Sequence, residues 1–466
     1  MNSRPLLAAA LLTAAGLVAA ACATQPSPPA QPAAPVSAPA AAPDSSPAAA
    51  PTAPAEWAKP TVVSDATLPR TPLAQFSNGL LAGSVGDDHG IALGGTGSDI
   101  YPAQAPDEYW VVTDRGPNGQ VKVDGDKRRT FPVPGFDPVI LRVKVDGSTL
   151  RVQQAIPLTT TAGRPITGLS DMAGRDETPY DWTAAQQLPV NPSGVDSEGL
   201  VRAGNGEFWV SEEYSPSILR ISPTGKVLAR YVPQGLALPG ADYPVNPTLP
   251  AILGKRQINR GFESLAMSPD GHTLYTMLQS PLALPNPDAG EKSRTVRLIA
   301  FDTSTGKATA EYVYSLEKVT GFDPGADGDE SDMKISALAW YGPDELLVDE
   351  RTDDVAKLYV AKLTGATNVL GGPFDDPAHS PPLEQADLRA ASVTPLAKTL
   401  LVDLTASVPN LPKKIEGIAV RDDHTIAVAN DNDFGMTEGK HAFGSGGRVQ
   451  DSGAQSQVLV LRAGPK

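Results

Sequence analysis

Acidic side chains recur at matching places along the sequence. Glu198, Glu263 and Glu416 each precede a small residue and then Leu or Ile, and Ser336 holds the same place in a fourth segment. Carboxylates that converge repel one another and are costly to keep charged away from water, and a hard cation relieves both costs. The spacing therefore predicts either a cation site or, as the alternative, glutamates that cap turns by accepting backbone N–H bonds.

A second set of oxygen ligands follows each of these positions, near the end of the next β-rich run. With no Cys beyond Cys22 and five His in the whole chain, oxygen donors favour Ca²⁺, with Mg²⁺ as the second choice, and disfavour zinc. The candidate metal ligands from both sets are Asp114, Glu198, Glu212, Glu213, Glu263, Glu350, Glu416, Asn430 and Asp431.

Arginines stand beside these acids. Arg115, Arg260 and Arg351 are candidates to hold phosphate oxygens, because a guanidinium binds phosphate or carboxylate in a bidentate manner. Together with Glu198, Glu263 and Glu416, the three arginines are the candidate catalytic residues. The alternative is that each arginine forms an ion pair that holds neighbouring parts of the fold together.

The elements that must position these residues are short strands in a repeated order. Each acidic segment leads into a hairpin with Asp/Gly turn residues, as at residues 268–271, and a second hairpin often follows. Two hairpins per unit make the four-stranded blade of a β-propeller. We predict an all-β propeller over residues 61–466, with six four-stranded blades, of which two lie in residues 61–197.

Several segments resemble the signature segments of the phytase-like domain family, described as having esterase-like activity of phytase. They are TDRGPN (113–118), DSEGL (196–200), FWVSEEY (208–214), NRGFESL (259–265), LQSPL (278–282) and DERTD (349–353). The resemblance runs from about residue 75 to the C-terminus. It implies a β-propeller, and the family's name implies phosphoester hydrolysis, whereas the Ca²⁺ ligands of β-propeller phytases do not transfer residue by residue.

The N-terminal segments predict export. Residues 1–22 read as a signal peptide that ends in a lipobox-like Val-Ala-Ala-Ala-Cys, so Cys22 is the expected lipidation site; the alternative is a plain cleaved signal. Residues 23–60 read as a disordered Ala/Pro-rich linker. We expect a protein of the cell envelope, bound to the membrane only through Cys22.

The net charge indicates which kinds of molecule the protein binds. A net charge of −15 argues against nucleic acid, and we expect a monomer that acts on a small, phosphorylated molecule. The leading hypothesis is a Ca²⁺-dependent phosphoesterase. The alternatives are a Ca²⁺-dependent lactonase or esterase, for which Asn430 and Asn432 are suitable ligands, and a non-catalytic binding or scaffold propeller. No Gly-x-Ser-x-Gly motif supports a serine nucleophile.

Overall fold

The computed structural model describes residues 54–80, 85–422, 424–437, 443 and 446–464, all within one compact unit, Pro51–Lys466. The predicted signal peptide with Cys22, and residues 23–53 of the predicted linker, lie outside these residues. Within the described ranges no helix has the length and apolar character needed to cross a bilayer. The compact unit begins before residue 61, because Trp57 is fully buried in a core cluster that residues 337–461 supply.

Strands dominate the described residues. The first eight are β1 Thr61–Thr67, β2 Asp99–Pro102, β3 Glu108–Val112, β4 Gly119–Val123, β5 Asp126–Thr130, β6 Val139–Asp146, β7 Thr149–Pro157 and β8 Pro179–Tyr180. The next nine are β9 Ser197–Arg202, β10 Phe208–Glu212, β11 Ser217–Ile221, β12 Val227–Pro233, β13 Val245–Leu249, β14 Phe262–Met267, β15 Thr273–Leu278, β16 Thr295–Asp302 and β17 Lys307–Ser315. The last seven are β18 Lys334–Gly342, β19 Glu345–Arg351, β20 Ala356–Lys362, β21 Ala397–Asp403, β22 Ile415–Asp422, β23 Thr425–Asn430 and β24 Gln457–Arg462.

Helices are short and lie in the connections. The α-helices are α1 Leu73–Leu80, α2 Pro287–Glu291, α3 Val319–Phe322 and α4 Leu404–Ser407. The 3-10 helices are Ala251–Lys255, Glu330–Asp332, Pro373–Asp375, Leu383–Gln385 and Asp433–Gly435.

The strands form a β-propeller, which confirms the predicted fold class. In the described residues there are five four-stranded antiparallel blades: β2-β3-β6-β7, β9-β10-β11-β12, β14 to β17, β18 to β21, and β22-β23-β24-β1. The innermost strands β2, β9, β14, β18 and β22 contact one another in that order, and β22 contacts β2 again, so the ring is closed. The N-terminal strand β1 pairs with the C-terminal strand β24, so each of the two strands covers an edge of the other.

Five blades replace the six that were predicted. The difference lies in residues 61–197, which hold one blade instead of two. Strand β1 belongs to the last blade, and β4, β5 and β8 form a separate three-stranded sheet in the loops. Part of the strand-like sequence in this region therefore forms this small sheet and not a blade.

Apolar side chains fill the space between neighbouring blades. Trp110 of the first blade meets Phe208 of the second edge to face, with ring centroids 5.0 Å apart, and Trp209 of the second meets Phe301 of the third at 6.1 Å. Strand β10 is buried along its whole length because both of its faces meet other blades.

Candidate functional site

The innermost strands turn one side chain each toward the propeller axis. The pairing of β14 with β15 skips one residue at Glu263, and the pairings in the fourth and fifth blades do the same at Ser336 and Glu416. A β-bulge of this kind re-aims the extra side chain. Glu198, Glu263 and Glu416 all line a central cavity of about 440 Å³, as predicted from their spacing.

The small residue after each acid allows the innermost strands to approach one another. A Cβ atom on Gly199 would lie 2.5 Å from the backbone nitrogen of Leu265 in the next blade. A Cβ atom on Gly417 would lie 3.0 Å from the backbone nitrogen of Ile100. The Glu-Gly sequence therefore has two purposes: the acid faces the cavity, and the glycine lets the ring close beneath it.

A second row of side chains reaches the cavity from the ends of the second strands. Because side chains alternate along a strand, one of each adjacent pair faces the axis at the ends of β10, β19 and β23. The residues that reach the cavity are Asp114, Glu213, Gln279, Arg351 and Asp431, and Arg115, which follows Asp114 beyond the end of β3, lines it as well.

The other member of each pair points away from the cavity, which corrects part of the predicted ligand set. Glu212 is fully buried in an ion cluster, where its Oε2 lies 2.7 Å from Arg230 Nη2 and accepts a hydrogen bond of 2.6 Å from Ser217. Glu350 Oε2 accepts bonds of 2.6 Å from Lys398 and 2.9 Å from Tyr314. Both acids hold the fold together and do not line the cavity.

Asn430 is the third predicted ligand outside the cavity lining. Its Oδ1 accepts a 2.8 Å bond from the backbone nitrogen of Gln457, and its Nδ2 donates to the carbonyl of Gln455. Asn432 likewise accepts from the backbone of Gly95 at 2.8 Å and donates to that of Ala454. The amides that the lactonase alternative requires are thus engaged in backbone contacts.

Three buried carboxylates come together on one wall. Ligand oxygens of Asp196, Glu198 and Glu213 all lie within 4.8 Å of one another. Burial first, and then the neighbouring carboxylates, raises the pKa of Glu198 and of Glu213 well above the usual range. This arrangement is costly unless protons or a cation neutralise it. We call Asp196, Glu198 and Glu213 the acidic triad.

Several oxygens around the triad lack the hydrogen bonds that burial normally demands. Within the described residues, Glu213 Oε1, Glu263 Oε2 and Asp196 Oδ2 have no hydrogen-bond partner. Asp196 Oδ2 is nevertheless balanced by Arg115, whose Nη1 lies 3.2 Å away. An oxygen-only group with unsatisfied lone pairs fits a hard cation such as Ca²⁺.

Cations gather near the acidic triad. Arg260, Lys334 and Arg351 line the same cavity, and we call them the cationic group. Burial, together with the charges of Arg351 and Arg260, lowers the pKa of Lys334 to about 8. Lys334 forms a 2.7 Å ion pair with Asp353, and Arg351 is bonded to Glu416. The group can therefore accept an anion at the cost of exchanging carboxylate partners.

The third arginine predicted for phosphate, Arg115, faces the acids instead. Its Nη1 lies 3.2 Å from Asp196 and 3.5 Å from Glu177. Arg115 therefore fits the alternative interpretation, in which the arginine forms ion pairs that hold parts of the fold together. Among the described residues of the lining, nine carboxylates face six cations, so this part of the cavity has an excess of acid.

The lining residues that the sequence did not predict include Ser98, Asp196, Lys334 and Lys414. Ser98 is the first-blade equivalent of Glu198, since Ser98-Asp99-Ile100 repeats the acid-small-Leu pattern with other side chains. The other three stand two residues before Glu198, Ser336 and Glu416, so the repeat itself was the signal that could have found them.

Comparisons with known proteins identify the family of the sequence. The family model "Phytase-like: Esterase-like activity of phytase" matches residues 91–434. An "Uncharacterized secreted protein" of Arthroderma benhamiae is 30% identical over 298 residues, which cover 54% of this chain and 57% of that relative. The chain thus spans little more than half the length of this curated relative.

Solved structures resemble the chain only remotely. The PQQ-bound aldose sugar dehydrogenase of Streptomyces coelicolor is 10% identical with a TM-score of 0.33, over 80% of this chain and 95% of that one. Regucalcin of Agrobacterium tumefaciens, described as a calcium-binding protein, is 12% identical with a TM-score of 0.32, over 80% and 92%. Likeness at this level carries no inference about activity.

Proposed function

Because the chain belongs to the phytase-like family, we propose that its central cavity hydrolyses phosphoric esters with the help of a Ca²⁺ ion. The observation that carries the proposal is the presence, in one buried cavity, of the acidic triad and the cationic group. A phosphoester offers both negative oxygens and a site of developing charge, and these two groups match the two needs.

The acidic triad is the proposed cation site. Asp196, Glu198 and Glu213 would hold the ion, since their oxygens converge and two of them retain an oxygen without a hydrogen bond in the described residues. Bound Ca²⁺ would supply Lewis-acid neutralisation of the phosphate charge. Mg²⁺ is the less suitable ion because it demands a stricter geometry and keeps more of its water.

The cationic group is the proposed phosphate site. Arg351 is held by Ser336, which accepts a 2.8 Å bond from its Nε, so its guanidinium is oriented before a substrate arrives. Arg260 is bonded to Gln279 and Lys334 to Asp353, and both cations can turn toward a phosphate oxygen without leaving the cavity. The orientation of Arg351 therefore needs little reorganisation during the reaction, whereas Arg260 and Lys334 would exchange their present partners for the phosphate.

The full chain, assayed with a simple phosphoric monoester in Ca²⁺ and in EDTA, tests the proposal. We expect hydrolysis only with Ca²⁺, and a Tm that rises with Ca²⁺ concentration because the ion binds the folded state. Glu213→Gln should lose both effects, with a fall in kcat/KM of about a hundredfold or more. Glu207→Gln, which changes a glutamate paired with Arg220 far from the cavity, is the matched control.

Two results would reject this function. A folded, Ca²⁺-saturated protein that hydrolyses no phosphoester would leave a binding or scaffold propeller as the better description. Hydrolysis that is indifferent to EDTA and to Glu213→Gln would place the chemistry elsewhere. The lactonase alternative gains no support from the contacts of Asn430 and Asn432.

The cellular setting is also a proposal. Export is supported by the secreted relative in Arthroderma benhamiae, which matches about half of this chain. Lipid attachment at Cys22, a monomeric state and the absence of nucleic-acid partners stay predictions from the sequence.

A further inference from the structure

A second cavity, of about 420 Å³, adjoins the central one. Arg129, Asn259 and Arg260 line both cavities and form the wall between them. The rest of the second cavity has a different character from the central one, because it is partly apolar. Its apolar surface comes from Ile258, Pro281, Pro287 and Met333.

A firmly anchored turn presents Ile258 at this wall. The backbone of Gln257 bridges to that of Arg260, and the Gln257 side chain donates a 2.9 Å bond to the carbonyl of Pro287. Next to Gln257, Arg256 Nε donates a 2.7 Å bond to the carbonyl of Tyr214. The turn is therefore anchored before Ile258 by Arg256 and Gln257 and after it by Arg260, which is bonded to Gln279.

Ile258 is 60% exposed, and in the described part of the chain Val63, at 44%, is the only other large hydrophobic residue that is exposed. A single exposed isoleucine is unremarkable by itself. Here it lies on a fixed turn beside a half-apolar cavity that opens next to the cationic group. A ligand in the second cavity would cover it and gain the hydrophobic energy of that burial.

Asn259 gives the wall a polar feature as well. It adopts a left-handed backbone conformation with φ of +54°, and it lines both cavities. Its buried Oδ1 has no hydrogen-bond partner among the residues that the structure describes. An unpaired polar atom at this place is available to a substrate that crosses the wall.

We infer that the second cavity binds the alcohol part of the substrate, and that the preferred substrate is a phosphoric monoester of an alcohol with an apolar portion. The phosphate would lie against the cationic group and the ester would cross the wall at Asn259. This inference rests on the proposed function and narrows its substrate class.

The charges of the second cavity oppose a polyphosphorylated alcohol. Glu177 accepts bonds of 2.8 Å and 2.9 Å from Arg129, so that guanidinium is already neutralised. Glu291 adds a further negative charge, and among the described lining residues Lys127 is the remaining cation apart from Arg260. A second phosphate placed here would find little free positive charge.

Ethyl, butyl and hexyl phosphate test the inference on the full chain with Ca²⁺. Their leaving groups have similar reactivity, so differences in kcat/KM report contacts with the alkyl chain. We expect kcat/KM to rise about tenfold from ethyl to hexyl phosphate, the effect of four partly buried methylene groups. Ile258→Ser should reduce that hexyl-to-ethyl ratio severalfold, and Val63→Ser, the matched control, should retain it.

The outcomes separate the two proposals. Hydrolysis of all three esters with equal kcat/KM, or a ratio that Ile258→Ser leaves intact, overturns the alcohol site while the phosphoesterase stands. Hydrolysis of none of them overturns the proposed function and the alcohol site together. A ratio that collapses in Ile258→Ser and persists in Val63→Ser supports both.

Discussion

Glu263→Gln should stabilise the metal-free protein above neutral pH. Glu263 is 3% exposed, and burial, followed by the charge of Glu416, raises its pKa from 4.5 to about 7. The folded state then binds this proton more tightly than the unfolded chain does, so the free energy of unfolding falls as pH rises from 4.5 to 7. At about 1.4 kcal/mol per pH unit, the loss approaches about 3 kcal/mol, and an amide does not suffer it.

Urea unfolding in EDTA at pH 5 and pH 8 measures this difference. Relative to Glu263→Gln, the wild type should lose about 3 kcal/mol between the two pH values, most of it below pH 7. Glu291→Gln makes the same chemical change at an exposed position and should follow the wild type. If Glu263→Gln and the wild type changed in parallel with pH, the buried charge of Glu263 would not be the destabilising feature that we infer.

Substitutions at Gly261 and Trp57 test the packing of the site and of the propeller core. Gly261→Ala would drive a Cβ atom into the backbone carbonyl of Glu213, so we expect a loss of about 3 kcal/mol in unfolding free energy together with weaker Ca²⁺ binding. Gly204→Ala meets no atom within 4 Å and should be nearly neutral in the same urea titration. Trp57→Ala should cost about 4 kcal/mol, since the ring is fully buried. Trp57→Phe should cost much less, because the indole nitrogen makes no hydrogen bond within the described residues, and equal Tm losses for the two variants would contradict this.

The repeated acids were predictable because a propeller brings equivalent positions to one axis. Glu198, Glu263 and Glu416 occur in a regular pattern, and that pattern alone predicts convergence. What the pattern could not resolve was which of two adjacent acids faces the axis. Glu212 and Glu213 are chemically identical, and only the strand register, set by pairing with β9, turns one inward and the other into the blade.

The blade count failed for a related reason. Residues 61–67 have the composition of any other strand, but they pair with residues from the far end of the chain. Sequence order gives no sign of such a closure, because the partner lies nearly 400 residues away. Such long-range strand pairing is visible in the structure but cannot be inferred by counting strand-like segments along the sequence.

Ring closure also determines where the chain arrives. Thr61 pairs with Arg462 beside Thr425, where β23 begins, whereas Asp431, which lines the cavity, follows the opposite end of that strand. The polypeptide on both sides of the propeller therefore joins it at the face away from the cavity. A solid support, a fluorescent label or a partner domain coupled through either side would leave the cavity mouth unobstructed, so the protein is suited to oriented immobilisation with the cavity open to solvent.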